Sequence, residues 1–144
     1  MPVDFEAGDW EKQLAVDGFD ASQPSVVASL GVSIYLSKNA IAAMMRQAAS
    51  FASGSMFVMS FMLPLELVEP GERPGLRQMQ KGAHARGTAF TSLFTPPEIL
   101  ALARETGFHD VLHLSSGDLY HWYFADRPVG LRPSSAEALI MATA

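Results

Sequence analysis

Histidines, hydroxyls and basic side chains are the groups in this chain that could do chemistry; cysteine is absent. Without cysteine there is no disulfide scaffold, no thiolate nucleophile and no thiolate metal site. His109-Asp110-Val111-Leu112-His113 has the spacing of a helical zinc pair. That segment follows Gly107-Phe108 and reads as a strand, where the two rings would stand roughly 13 Å apart at ~3.3 Å per residue. Asp110 is also shorter than the glutamate of the metalloprotease motif, so no metal site is expected. Arg73, Arg77, Lys81 and Arg86 gather four of the ten Lys and Arg. A phosphate or nucleic-acid patch would use such residues, but no aromatics interleave with them, and a solvated helix face is the simpler reading. Tyr120, Trp122, Tyr123 and Phe124 suit either a stacking platform or a core or interface. Ser115-Ser116 has no histidine and acid at a hydrolase spacing. There is no GxGxxG and no P-loop. The residues alone give no enzyme.

The elements that must hold these groups are easier to read. The chain has 144 residues, 49% hydrophobic and 17% charged, with a formal net charge of −5. That fits one domain with a filled core, argues against disorder, and makes binding to nucleic acid or an anionic membrane unexpected. Asp9 is placed to cap a helix over 10–17, stopped by Gly18. An apolar run over 25–30 reads as a buried strand. Gly31 then opens a loop, and Ser37 caps a helix with Ile41, Met44, Met45, Ala48 and Phe51 on one face. A second apolar strand runs from Met56 to Leu63; the apolar stretch around it, Met56 to Leu65, is about half the length a bilayer span requires, roughly 20 residues. Strand, helix, strand without polar alternation implies a parallel sheet covered on both faces. Pro64, Pro70, Gly71, Pro74 and Gly75 interrupt the next stretch, leaving a short helix from Arg77 to Arg86. Thr95-Pro96-Pro97-Glu98 is a capping box with proline at the first helical position, and Gly107 ends that helix. A strand over 108–114, an aromatic helical turn over 118–124 and a last strand over 138–142 complete the series. The N-terminus lacks the build of a secretory leader, so the chain reads as cytoplasmic.

Several segments together resemble a known family. They are Val3-Asp4-Phe5-Glu6, Gly31-Val32-Ser33-Ile34-Tyr35-Leu36, Phe94-Thr95-Pro96-Pro97-Glu98, Tyr123-Phe124-Ala125-Asp126-Arg127 and Gly130-Leu131-Arg132-Pro133. In that order they are similar to the C-terminal half of the leucine carboxyl methyltransferase-like family, class I enzymes that use S-adenosylmethionine. Bacterial members are often described as O-methyltransferases of polyketide-type biosynthesis. The resemblance implies an α/β fold: a partial Rossmann-like sheet, mostly parallel, with helices on both faces and without its first two strands. It implies that Asp4 and Phe5 end the third strand of that sheet and lie against adenine. A carboxylate can accept the exocyclic amine, and a phenyl ring can pack on the base. It implies that Leu30, Gly31 and Tyr35 lie at the carboxyl edge, where open α/β sheets bind ligands. Relatives usually carry glutamate where this chain has Leu30. Residues 64–90 would cap the pocket of a small-molecule methyl acceptor, and Tyr35 lies nearest that chemistry, with His84 and His121 the histidines to consider as base. The resemblance further implies a truncated chain or half of a split protein, with the open edge of the first strand joining a homodimer or a partner chain. The alternative is a non-catalytic α/β binding module.

Overall fold

The computed structural model describes residues 3–8, 10–128 and 130–144. The expected cap at Asp9 lies outside them. Four strands form one open sheet in the order β1-β2-β4-β3, where β1 is Val26–Ser29, β2 Met56–Met62, β3 Asp110–Leu114 and β4 Glu137–Thr143. β1 pairs parallel with β2, while β4 runs antiparallel between β2 and β3. Three strands therefore point one way and the last runs against them. Apolar runs such as 138–142 encode burial rather than direction, which is why the reversed strand is not legible in the sequence.

Register divides the side chains cleanly between two faces. On one face Val27, Phe57, Ala142 and Val111 form a cross-strand row, followed by Ser29, Met59, Ile140 and His113. Helices α2 (Lys38–Ala49) and α4 (Pro96–Glu105) pack here, contributing Ile41, Met45, Ile99 and Ala103 to the main core. Ser37 caps α2 by accepting the Ala40 N–H. Thr95 and Glu98 form the expected capping box on α4, and a positive φ of 113° at Gly107 lets the chain leave that helix. His113 packs its ring near Phe61, at 5.9 Å between centroids.

The opposite face is covered only in part. Leu119 of α5 (Ser116–Tyr123) sits with Leu139 and Ser60 at one end of it. Farther along lies the row Ala28, Val58, Met141 and Leu112, where Leu112 is 47% exposed; Val26 at the outer strand is 71% exposed. Among the described residues nothing pairs with the outer edge of β1.

Three expectations change in detail. Residues 3–8 are not a strand end. Residues 5–8 form a turn, with the Ala7 N–H donating to the Asp4 carbonyl and the Glu6 N–H to the Asp4 carboxylate; among the described residues no strand pairs with them. The helix expected from Arg77 begins earlier: α3 is Arg73–Ala85, with Pro74 tolerated in its first turn, where a missing N–H costs nothing. The aromatic turn is likewise a full helix, because Ser115 and Asp118 form a second capping box. Helix α1 (Trp10–Val16) matches the expected span closely. No helix among the described residues is long and apolar enough to cross a membrane.

Candidate functional site

β1 ends at Ser29, β2 at Met62, and β4 begins at Glu137 opposite Met62, so one end of the sheet collects three chain segments. The loop leaving β1 is fastened there from beneath. Gly31 takes a positive φ of 69°, and its N–H donates to Ser60 Oγ at 2.8 Å. Two residues on, the buried Ser33 hydroxyl donates to the Ser60 carbonyl at 2.7 Å. A 3-10 turn over Ser33–Tyr35 then leads to Ser37, whose N–H and hydroxyl both donate to the Glu6 carboxylate, at 2.6 and 2.8 Å. Through Glu6 the N-terminal segment is tied to the start of α2.

Around this loop lie three hollows. The largest, about 560 Å³, opens between the loop and α3 and is lined by Gly31, Tyr35, Met62, Glu72, Leu76 and Ser134 among others. Glu137 also borders it, so it holds two carboxylates and hydroxyls from Tyr35 and Ser134, while no Lys or Arg is among its described lining residues. Phe90 meets the Tyr35 ring edge-on at 6.1 Å. A second hollow, about 230 Å³, is an apolar slot between the N-terminal segment and β1, formed by Phe5, Trp10, Val27, Ser29, Val32 and Met44 with two further residues. Ser29 and Trp10 are only 8% and 5% exposed, yet neither Ser29 Oγ nor Trp10 Nε1 has a hydrogen-bond partner among the described residues. Buried polar atoms are normally paired, so these two, on residues that border the slot, are exceptions. The third, about 300 Å³, lies against Leu30, Ser60, Leu119 and Leu139.

The five residues singled out by sequence thus surround one loop without sharing one hollow. Gly31 and Tyr35 line the large cleft, Phe5 lines the slot and Leu30 the third hollow. Asp4 is exposed beside Phe5, one carboxylate oxygen accepting the Glu6 N–H at 3.0 Å. His84 stands elsewhere, in a groove on the outer side of α3, and His121 is exposed on α5. Sequence reasoning missed Ser29, Trp10, Glu72 and Ser134. A hydroxyl closing an apolar strand was the available signal for Ser29. Nothing local couples Glu72 to a serine 62 positions away.

That coupling shapes the large cleft. The Glu72 carboxylate accepts the Ser134 hydroxyl at 2.6 Å and the Ser135 N–H at 3.1 and 3.2 Å, clamping α3 to the segment entering β4. The Ser134 hydroxyl holds this carboxyl below the usual glutamate range; burial opposes it in part, and the Ser135 N–H adds a smaller lowering effect. A lowered folded value means the stabilisation is complete above the unfolded pKa, about 4.3, and is lost as pH falls through the folded value. Urea midpoints measured from pH 7 down to pH 3 should fall more steeply for the parent protein than for Glu72→Gln. Parallel curves would assign acid sensitivity to other carboxylates.

Residues 1–49 match the model of the leucine carboxyl methyltransferase family. All five sequence-predicted site residues fall within that span. No curated protein matches the chain. Among solved structures, a DUF574 family protein from Streptomyces avermitilis is 17% identical with a TM-score of 0.69, over 99% of this chain and 53% of its own. A SAM-dependent methyltransferase from Archaeoglobus fulgidus is 14% identical with a TM-score of 0.59, over 100% of this chain and 66% of its own. An O-methyltransferase family protein from Burkholderia thailandensis is 12% identical with a TM-score of 0.55, over 99% of this chain and 34% of its own. The chain therefore spans between a third and two thirds of the length of these structures, about half of the first. The family match thus covers residues 1–49, a third of the chain, and the mixed four-stranded open sheet is similar in fold to these S-adenosylmethionine-dependent methyltransferase structures.

Proposed function

We propose that the chain binds S-adenosylmethionine and serves O-methyl transfer to a small-molecule hydroxyl. One observation carries the reading: the Phe5 slot has apolar walls and is bordered by Ser29 and Trp10, whose buried Oγ and Nε1 lack partners among the described residues. An adenine ring needs that combination of flat apolar faces with edge donors and acceptors. Phe5 and Val32 would pack on the base, Trp10 Nε1 would donate to a ring nitrogen, and the Ser29 hydroxyl can donate or accept. Asp4, beside Phe5, has a carboxylate oxygen available for the exocyclic amine. The residues present fit the group. The chemistry supplied by the bound cofactor is an electrophilic methyl group. Tyr35 and the cleft beside it would hold and orient the acceptor, and such transfer depends mainly on proximity and orientation. Glu72 and Glu137 on that cleft, with no cation among its described lining, favour a hydroxyl over a carboxylate acceptor, since like charges repel.

Calorimetric titration with S-adenosylmethionine tests this on the 144-residue protein, with its solution mass measured alongside. Micromolar binding is expected. Asp4→Ala should weaken it about three- to tenfold, the worth of one hydrogen bond, with the unfolding midpoint checked alongside because the Asp4 carboxylate also accepts the Glu6 N–H. Absence of binding by folded protein would overturn the reading in favour of a non-catalytic α/β module. A neutral Asp4→Ala result would overturn the adenine assignment alone.

A further inference from the structure

The outer side of α3 carries a groove of about 500 Å³, separate from the hollows around the Gly31–Tyr35 loop. Arg77, Lys81 and His84 recur at helical spacing along one wall, and Phe90 and Leu93 form the other. Arg77, Lys81 and His84 are exposed, and among the described residues their side chains take part in no ion pair or hydrogen bond. The chain has 15 Asp and Glu against 10 Lys and Arg, so unneutralised cations gathered in one place are unusual for it. Phe90 and Leu93 are half-buried and belong to the apolar cluster of Val68 and Leu76. Their exposed portions form an apolar surface directly beside the cations. A solvated helix face would account for the charges but not for the apolar wall opposite them. The groove's volume falls within the usual range for small-molecule sites, about 300–1,000 Å³.

We propose that this groove binds an amphipathic anion. Its apolar body, a ring or short chain, lies on Phe90 and Leu93, and its carboxylate or phosphate is held by Arg77 and Lys81 with a hydrogen bond from His84. The carboxylates of the neighbouring cleft give such an anion no comparable partner, so charge alone directs it to the outer side of α3. The site goes beyond the methyl-donor reading and does not require it.

Three uncharged-body probes decide the matter by titration into the 144-residue protein: 4-phenylbutanoate, 4-phenylbutyl phosphate and 4-phenylbutanol. At least one anion should bind about tenfold or more tighter than the alcohol, and the stronger of the two names the headgroup. The double variant Arg77→Ala/Lys81→Ala should erase that margin. Removing two cations elsewhere, Arg46→Ala/Arg104→Ala, should leave it intact, which separates a local site from net charge. Phe90→Ala should weaken all three probes. Equal binding of alcohol and anions, or an unchanged margin in the Arg77/Lys81 variant, would overturn the proposal. S-adenosylmethionine titrated into the same variant gives a separate readout, so failure of one site is not mistaken for failure of the other.

Discussion

Phe57→Ala should lower folding stability by about 3–5 kcal/mol, read as the shift in a urea unfolding curve. Phe57 has no exposed surface and lies in β2, between Val27 of β1 and Ala142 of β4. Its ring stacks on Phe108 with centroids 5.6 Å apart and planes inclined by 23°. Truncation removes the ring and leaves a cavity, and one of its two cross-strand neighbours, Ala142, is too small to collapse into it. Domains of this size are held by only about 5–15 kcal/mol, so this one change consumes a large share of the margin. Phe57→Leu keeps most of the volume and should cost far less, about 1.5 kcal/mol. A loss below about 1 kcal/mol for Phe57→Ala would mean that the two layers are not joined through β2.

Where information is local, the sequence could be read. Thr95 through Glu98 contain both halves of a capping box, so α4 was legible to the residue at its start. Ser115 and Asp118 carry the same signal, but the dense aromatics that follow read equally well as packing, so the sequence predicts only a turn from Asp118 where α5 begins at Ser116. Pro74 reads as a breaker in sequence, so the helix is expected only from Arg77, whereas a proline in the first turn lets α3 begin at Arg73. What sequence could not yield was everything that depends on distant pairing. The antiparallel course of β4 is one case. The Glu6–Ser37 and Glu72–Ser134 contacts are others, since neither carboxylate differs in sequence from one pointing into solvent. The candidate site follows the same division. Gly31 and Tyr35 were legible as a loop beside a strand end, and Phe5 through the resemblance. Ser29 and Trp10 became candidates only when their buried polar atoms proved to lack partners.

Ser33→Ala should cost about 1–3 kcal/mol, although it removes a single oxygen from a residue with no cavity to create. The loss comes from the Ser60 carbonyl, which accepts the Ser33 hydroxyl in a buried setting and would be left without it. Ser60→Ala should cost a comparable amount for a different reason: the Gly31 N–H loses its acceptor. Both bonds hang the same loop, Leu30 to Tyr35, from β2 rather than from β1, the strand that precedes it. Once one bond is gone the loop is free to move, and the second has less to hold. The double variant should therefore cost less than the two single losses added, by at least about 0.5 kcal/mol. Strict additivity would show that Gly31 and Ser33 are anchored independently, and the loop would then be two short segments rather than one unit. Coupling matters for the site because Leu30, Gly31, Val32 and Tyr35 face three different hollows from this loop. A loop that moves as a unit shifts the floor of the Phe5 slot and the wall of the Tyr35 cleft together.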